Sequence, residues 1–260
     1  LRFTGNTVID VTVSQTMPQL VLNAADLTIG DVTLTPSSGR AIKGKATVDA
    51  QAQTVSLDFG KPVAPGNYRL AIAYAGVINQ QANGLFALDY TNNDGQAKRA
   101  LFTQFEAPDA RRFVPSWDEP SYKATFDLSA VIPTGLMAVG NMPVKSKADM
   151  GGGKTRVTFG TSPKMSTYLL FFGLGELERA TKMAGQTEVG VITGKGNSGK
   201  AQLALDASAP GVPAVTLAFV YSQQGRQDDA LAVLDHMPST STMEPQYTMV
   251  RAIVFARQGK

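Results

Sequence analysis

The sequence predicts a mainly β fold, either an antiparallel β-sandwich or a large bent β-sheet, followed by a short all-α helical-hairpin segment. Two observations predict the β part. Apolar and polar residues alternate, as they do in strands with one buried face. Clusters of turn-forming residues separate these stretches at intervals typical of hairpins. The alternation stops near Pro210 and helical spacing begins, which predicts the α segment.

Three stretches show the alternation most clearly, and each is predicted to be a half-buried strand. The apolar residues are Ile9, Val11 and Val13, then Val55, Leu57 and Phe59, then Phe126, Leu128 and Ala130. The turn clusters lie at residues 36–39, 64–67, 92–95 and 151–153, where Pro, Gly, Asn, Asp and Ser are concentrated. Strands joined by such short turns are expected to be antiparallel neighbours.

The chain changes character at residues 206–213, which are rich in Ala, Ser, Pro and Gly. We therefore predict a β domain over residues 1–205, a linker or junction over 206–213 and helices over 214–260. The helical spacing rests on Ala214, Leu217, Ala218 and Tyr221, then on Ala230, Leu231 and Leu234.

The helical segment contains an internal repeat. Gly225 and Tyr221 are echoed by Gly259 and Phe255 at the tetratricopeptide period of about 34 residues. The tail thus resembles about one and a half tetratricopeptide repeats, whereas roughly three are needed for stability. It is therefore expected to pack on the β domain, on a second copy or on a protein partner, or to be cut from something longer. A natural fusion and an engineered join both remain open.

Composition predicts a folded chain with a sizeable core, since 43% of the 260 residues are hydrophobic and 17% are charged. The net charge of +3 is spread thinly, which argues against nucleic acid as a partner. The sequence has no cysteine, which excludes disulfides and thiol nucleophiles but leaves the compartment unknown. Its apolar runs are shorter than the roughly 20 residues of a membrane helix, so no membrane span is predicted.

One segment carries a specific signature: Thr103–Arg112, read TQFEAPDARR, is followed by Pro115 and by Trp117–Pro120, read WDEP. Further blocks lie upstream of it at 21–27 and 66–70, and downstream at 123–126, 140–143 and 164–170. Together they resemble the aminopeptidase N family of zinc exopeptidases over about residues 3–210. The resemblance implies the β-rich amino-terminal domain that precedes the catalytic domain. The family's zinc motif, His-Glu-x-x-His, does not occur in the sequence.

The resemblance also implies roles for Gln104 and Glu106. Their family counterparts project into the active-site cleft of the catalytic domain. Glu106 would bind the free α-ammonium of a peptide substrate, and Gln104 would line the pocket for its first side chain. The alternative is that both side chains are exposed on a strand edge without a partner domain and bind nothing.

A cluster of charged residues surrounds Trp117: Asp109, Arg111, Arg112, Asp118 and Glu119. Paired carboxylates can act as acid and base, but the arginines here would stabilise both carboxylates in their ionised form. We therefore interpret the cluster as a structural ion-pair network.

Two other features are weaker. Gly194–Ala201, read GKGNSGKA, resembles a phosphate-binding loop, but Ala201 replaces the Ser or Thr that would contact magnesium, which favours a connector. His236 is the only histidine, and a catalytic zinc would need two histidines and a carboxylate. No cofactor is therefore expected in this chain, and zinc is expected in the family's catalytic domain.

Two hypotheses follow. In the first, the chain is the substrate-gating domain of a zinc aminopeptidase that removes amino-terminal residues from peptides, and is inactive alone. In the second, it is a noncatalytic interaction module whose residues 214–260 dock a protein partner or a second copy.

Overall fold

The computed structural model of the protein describes residues 1–184 and 186–207, together with the single positions 228 and 231. The chain divides into two compact units, Leu1–Glu176 and Leu177–Lys260.

The first unit contains a six-stranded sheet. Its strands are β1 Arg2–Val13, β2 Leu20–Asn23, β3 Leu27–Pro36, β4 Ile42–Asp49, β5 Thr54–Asp58 and β6 Gly66–Val77. They lie in the order β1-β6-β3-β4-β5-β2, and each neighbouring pair is antiparallel. The edges of this sheet are therefore β1 and β2.

One hydrophobic core lies against this sheet, because its strands place alternate side chains on the same face. Leu34, Val55, Leu57 and Leu70 are completely buried, and Ile72 lies two residues beyond Leu70 on the same strand. Burial of each such side chain stabilises the fold by roughly 1.5–3 kcal/mol. The alternation noted around Val55 thus corresponds to strand β5, whose Val55 and Leu57 side chains belong to this core.

The pairing of β1 with β6 depends on two glycines. Phe3 lies opposite Gly76, and Gly5 lies opposite Tyr74. A Cβ atom on either glycine would come within 2.4 Å of the facing ring. The two rings meet edge to face, with centroids 6.3 Å apart, and burial raises the pKa of the Tyr74 hydroxyl. The glycines therefore leave the space that this aromatic pair occupies.

The remaining strands of the first unit form three smaller sheets. They are β7 Gly84–Thr91, β8 Ala97–Gln104, β9 Lys123–Ala124, β10 Ser129–Pro133, β11 Met137–Gly140, β12 Val144–Gly151, β13 Lys154–Phe159, β14 Met165–Ser166 and β15 Phe172–Gly175. The sheet orders are β11-β15-β8-β7, β10-β13-β12 and β14-β9. Short 3-10 turns lie at Ala110–Arg112 and Thr167–Leu169. A second core joins the two larger of these sheets, through Leu85, Ile132, Val157, Phe159, Phe172 and Leu174.

The described part of the second unit begins with an antiparallel hairpin of β16, Leu177–Ala184, and β17, Thr187–Gly194. A 3-10 turn at Ser198–Ala201 follows, and then the short helix α1, Gln202–Ala207. Arg179 and Glu188 form an ion pair across the hairpin, with a nitrogen–oxygen distance of 2.7 Å. Both side chains are substantially exposed, so the pair contributes little stability.

The mainly β prediction is confirmed. The strand predicted around Phe126 to Ala130 is shorter than expected, because β10 begins only at Ser129. Phe126 donates its backbone N–H to the Ser162 hydroxyl at 2.9 Å, whereas its carbonyl accepts the Ser162 backbone N–H at 3.0 Å. A side chain thus replaces one of the two backbone partners that a regular strand pair would supply. The alternating exposure continues without regular strand pairing.

The predicted linker at 206–213 and the predicted helices at 214–260 fall almost entirely outside the described residues, which end at 207 apart from Asp228 and Leu231. The proposed tetratricopeptide likeness, His236 and the boundary at residue 205 therefore stay predictions. Within the described residues, no helix has the length and apolar character needed to cross a membrane.

Candidate functional site

The candidate site lies where β8 ends. Gln104 is the last residue of that strand, and it pairs with Gly84 of β7. Phe105 is buried, whereas Gln104 and Glu106 on either side of it are exposed. The Glu106–Ala107 peptide bond is cis. The two residues predicted to contact a substrate thus present their side chains to solvent within one short segment.

Buried aromatic packing anchors this segment. Phe105 is 2% exposed and lies in a small core with Ala110 and Leu170. Its ring centroid is 5.4 Å from that of Phe113, which in turn stacks on Phe3 of β1 at 5.5 Å. Such pairs add roughly 0.5–1.5 kcal/mol to the gain from burial. Phe105 therefore holds the backbone that carries Gln104 and Glu106.

The strand end before Gln104 is fixed by a side-chain bond between neighbouring strands. The Thr103 hydroxyl is buried and accepts the backbone N–H of Phe172 at 2.9 Å. It also donates to the carbonyl of the same residue at 3.4 Å. These bonds tie the end of β8 to β15, and they position the residue that follows.

Asp118 is the centre of a network of hydrogen bonds and ion pairs close to the segment that carries Gln104 and Glu106. Its side chain is 1% exposed and forms an ion pair with Arg111, whose Nε lies 3.1 Å from Oδ2. The same oxygen accepts the Arg111 backbone N–H at 3.1 Å, and Oδ1 accepts the Thr167 hydroxyl at 2.5 Å. Asn23 completes the arrangement, since its side-chain oxygen accepts the Asp118 backbone N–H at 3.0 Å. Every oxygen of this buried carboxylate is therefore paired, as burial of a charge requires.

A second ion-pair group lies beside the first. Arg112 donates from Nε to Asp109 at 2.7 Å, and its Nη1 forms an ion pair with Asp26. Arg111 and Arg112 thus face different carboxylates, although they are adjacent in sequence. Both arginines belong to the 3-10 turn at Ala110–Arg112, so the three ion pairs of these arginines together hold that turn in place.

The predicted charge cluster is therefore brought together only in part. Trp117 packs partly buried against the core of the six-stranded sheet. Glu119 is exposed, and its side chain does not join either ion-pair group. Sequence reasoning did not single out Asn23, Asp26 and Thr167. They lie within the signature blocks at 21–27 and 164–170, which were the available signal.

The described residues do not fit a zinc ion. They contain no group of three or more His, Cys, Asp or Glu side chains that could hold a metal. The sequence has a single histidine, His236, which lies outside the described residues. A catalytic zinc needs three protein ligands with an open position for water.

The loop at Gly194–Ala201 already holds a carboxylate. Glu178 accepts the backbone N–H of Ser198 at 2.5 Å. This bond, with contributions from the Asn197 and Gly196 amides, lowers the pKa of Glu178. Backbone amides of this kind could cradle a phosphate. In this loop, the carboxylate of the preceding hairpin binds them instead.

The sequence matches the model of the peptidase M1 N-terminal domain over residues 1–169. The chain therefore belongs to the peptidase M1 N-terminal domain family. This result confirms the resemblance that the signature segment indicated for the β part. It carries no information on the helices predicted for residues 214–260.

Similar proteins include aminopeptidase N from Acetobacter pasteurianus, which is 38% identical over 213 residues, or 82% of this chain. Aminopeptidase M1 from Arabidopsis thaliana is 36% identical over 76% of the chain. The puromycin-sensitive aminopeptidase of Caenorhabditis elegans is 35% identical over 78% of the chain. The matched region spans 59%, 23% and 22% of the lengths of these three proteins.

Proposed function

We propose that this chain is the part of a zinc aminopeptidase that holds the amino terminus of a peptide substrate, without turnover of its own. Its membership of the M1 N-terminal domain family and the printed names of its relatives support this assignment. The observation that carries it is the joint exposure of Gln104 and Glu106 on either side of the anchored Phe105.

The chemistry of the two side chains suits this role. An ionised carboxylate at Glu106 accepts charge-assisted hydrogen bonds from an α-ammonium group. An internal peptide bond offers no such cation, so this contact would select peptide ends. The Gln104 amide has two donors and an acceptor that can line a pocket for the first side chain. Because both groups are exposed, solvent screens the contact and weak binding is expected.

Zinc and the hydrolytic step belong, in this proposal, to a separate catalytic domain. No step of the reaction is assigned to this chain, since its described residues do not form a zinc site. The contribution of the chain is selection and orientation of the substrate. Orientation of a reactant can itself lower a reaction barrier by several kcal/mol.

Lack of turnover can be tested with chromogenic leucyl and alanyl anilides. We expect the purified chain to release no chromophore with added zinc beyond the rate of a chelator-treated sample. Zinc-dependent turnover that survives repurification would contradict the proposal, because it would require a metal site within this chain.

Binding can be tested by titrating the chain with one short peptide in two forms, with a free or an acetylated amino terminus. We expect the free form to bind more tightly, since only it carries the ammonium group. Equal affinities would remove Glu106 from any role in substrate selection.

The hypothesis of an interaction module that docks a partner or a second copy through residues 214–260 stays a prediction. The contacts that would test it lie outside the described residues.

A further inference from the structure

Strand β1 is a long edge strand with little of the usual protection, since Arg2 and Asp10 are its only charged residues. It has 12 residues and keeps one uninterrupted register with β6 on its paired side. It contains no proline and no lysine, and its other side has no partner among the described strands. Unpaired N–H and C=O groups along such an edge are a template for another strand.

Edge strand β12 differs in these respects. It carries Lys145 and Lys147, and its pairing with β13 shifts register between Val144 and Ser146 and again between Asp149 and Gly151. Lysines and bulges are the common means by which proteins prevent unwanted pairing at an edge. The same chain therefore protects one long edge and leaves the other open.

The open edge of β1 faces a groove of about 1590 Å³. Every residue at 3–15 lines one wall, and every residue at 121–132 lines the other. Successive side chains of a strand point to opposite faces of its sheet. A wall to which every consecutive residue contributes is therefore the free edge of that strand and not one of its faces. The second wall includes β10, whose only partner among the described strands is β13. Two strand edges thus border one groove.

The groove has an excess of positive charge. Asp10 and Arg69 on its lining neutralise each other at 3.3 Å. Of the other charged lining residues, Lys123, Arg156 and Lys164 are basic and exposed, and only Asp127 is acidic. None of the three basic side chains forms an ion pair within the described part of the chain. A ligand with negative charge is therefore favoured.

We propose that this groove binds one extended peptide segment of net negative charge, which adds to β1 as an extra strand. Backbone hydrogen bonds to β1 would supply affinity, and alternate apolar side chains would contact Val8 and Val131, which are 56% and 50% exposed. The ligand is a free strand and not a second copy of this chain. The β1 of another copy already carries β6 along one side, so it could not enter between two walls.

The probe is a twelve-residue peptide, acetylated and amidated, in which valine alternates with threonine or glutamate. Acetylation keeps it from using the amino-terminal contact at Glu106. Trp117 lines the groove and is the only tryptophan of the chain, so its fluorescence reports on binding. We expect a saturable change in emission. The same peptide with methyl groups on alternate backbone nitrogens should not bind, since it keeps its side chains but loses strand pairing.

Two protein variants test whether the peptide binds along β1. Val8→Glu places a negative charge beside the bound strand, and Val48→Glu makes the same change at a position of similar exposure, 46%, on β4 outside the groove. We expect Val8→Glu to weaken binding about threefold, in line with like charges across a strand pair, and Val48→Glu to leave it unchanged. Circular dichroism checks that both variants fold.

A charge reversal tests the preference for acidic ligands. The double variant Lys123→Glu and Lys164→Glu should prefer a version of the peptide with lysine in place of glutamate. No saturable binding of the acidic peptide, equal binding of the methylated peptide, or equal weakening by Val8→Glu and Val48→Glu would overturn the proposal.

Discussion

Asp118 in the first unit and Glu178 in the second make the same kind of contact in very different surroundings. Each carboxylate accepts a backbone N–H from a 3-10 turn, Asp118 from Arg111 and Glu178 from Ser198. The Asp118 side chain is 1% exposed and has an arginine partner. Glu178 is half-exposed, and its pKa is lowered mainly by the Ser198 amide.

The difference in burial decides what each contact can do. A buried ion that loses its partner keeps the full cost of desolvation, whereas water replaces a lost partner at the surface. Asp118 should therefore control the stability of the first unit and the position of the segment that carries Glu106. Glu178 should control only its own loop.

Replacement of Asp118 gives the largest expected effect. Asp118→Ala leaves the Arg111 guanidinium, with a side chain only 12% exposed, without its carboxylate. The expected loss in the free energy of unfolding is about 3–5 kcal/mol, the range for a broken buried ion pair. Chemical denaturation measures it. The control Glu119→Ala removes the exposed carboxylate next to it, and similar losses for the two variants would contradict the role of burial.

A matched pair of threonines tests the same contrast with smaller changes. The hydroxyls of Thr167 and Thr161 each donate to an aspartate at 2.5 Å, but Thr167 is buried and Thr161 is exposed. Thr167→Val should cost about 1.5–3 kcal/mol, as for hydrogen bonds to charged groups. Thr161→Val should stay within about 0.5 kcal/mol of the parent. Denaturation midpoints that shift equally would show that burial does not set the cost.

The smallest effect concerns Glu178 and depends on pH. Its pKa in the folded chain lies below the ordinary 4.5, so its stabilising effect is present above that value and is lost as pH falls through the folded pKa. Glu178→Gln should lower the protection of the Ser198 amide against hydrogen exchange at neutral pH. The difference from the parent should vanish in acid. Glu188→Gln, in the same hairpin, should leave that protection unchanged at both pH values.

The sequence predicted the mainly β class because alternation and turn clusters are local properties that the fold preserves. The strand around Val55 was predictable for this reason. The late start of β10 was not, because the Phe126 backbone N–H is bound by the Ser162 hydroxyl, a side chain that the fold brings to it from a distant part of the chain.

The candidate site was predictable in its residue types but not in its pairings. The signature segment identified Asp118 and the adjacent arginines, but nothing in the sequence showed that Arg111 pairs with Asp118 while Arg112 pairs with Asp109 and Asp26. Those choices follow from the 3-10 turn, which directs neighbouring side chains to different sides. Long-range partners of this kind become visible only in the folded chain.

In the proposed function, the Glu106 carboxylate binds the amino terminus of a peptide. The most direct measurement compares the affinity of the free and acetylated forms of one peptide for the parent chain, for Glu106→Gln and for Glu119→Gln. We predict that the parent and Glu119→Gln prefer the free form by about two- to fivefold, as for an exposed ion pair, and that Glu106→Gln shows no preference. A preference that persists unchanged in Glu106→Gln would contradict the claim.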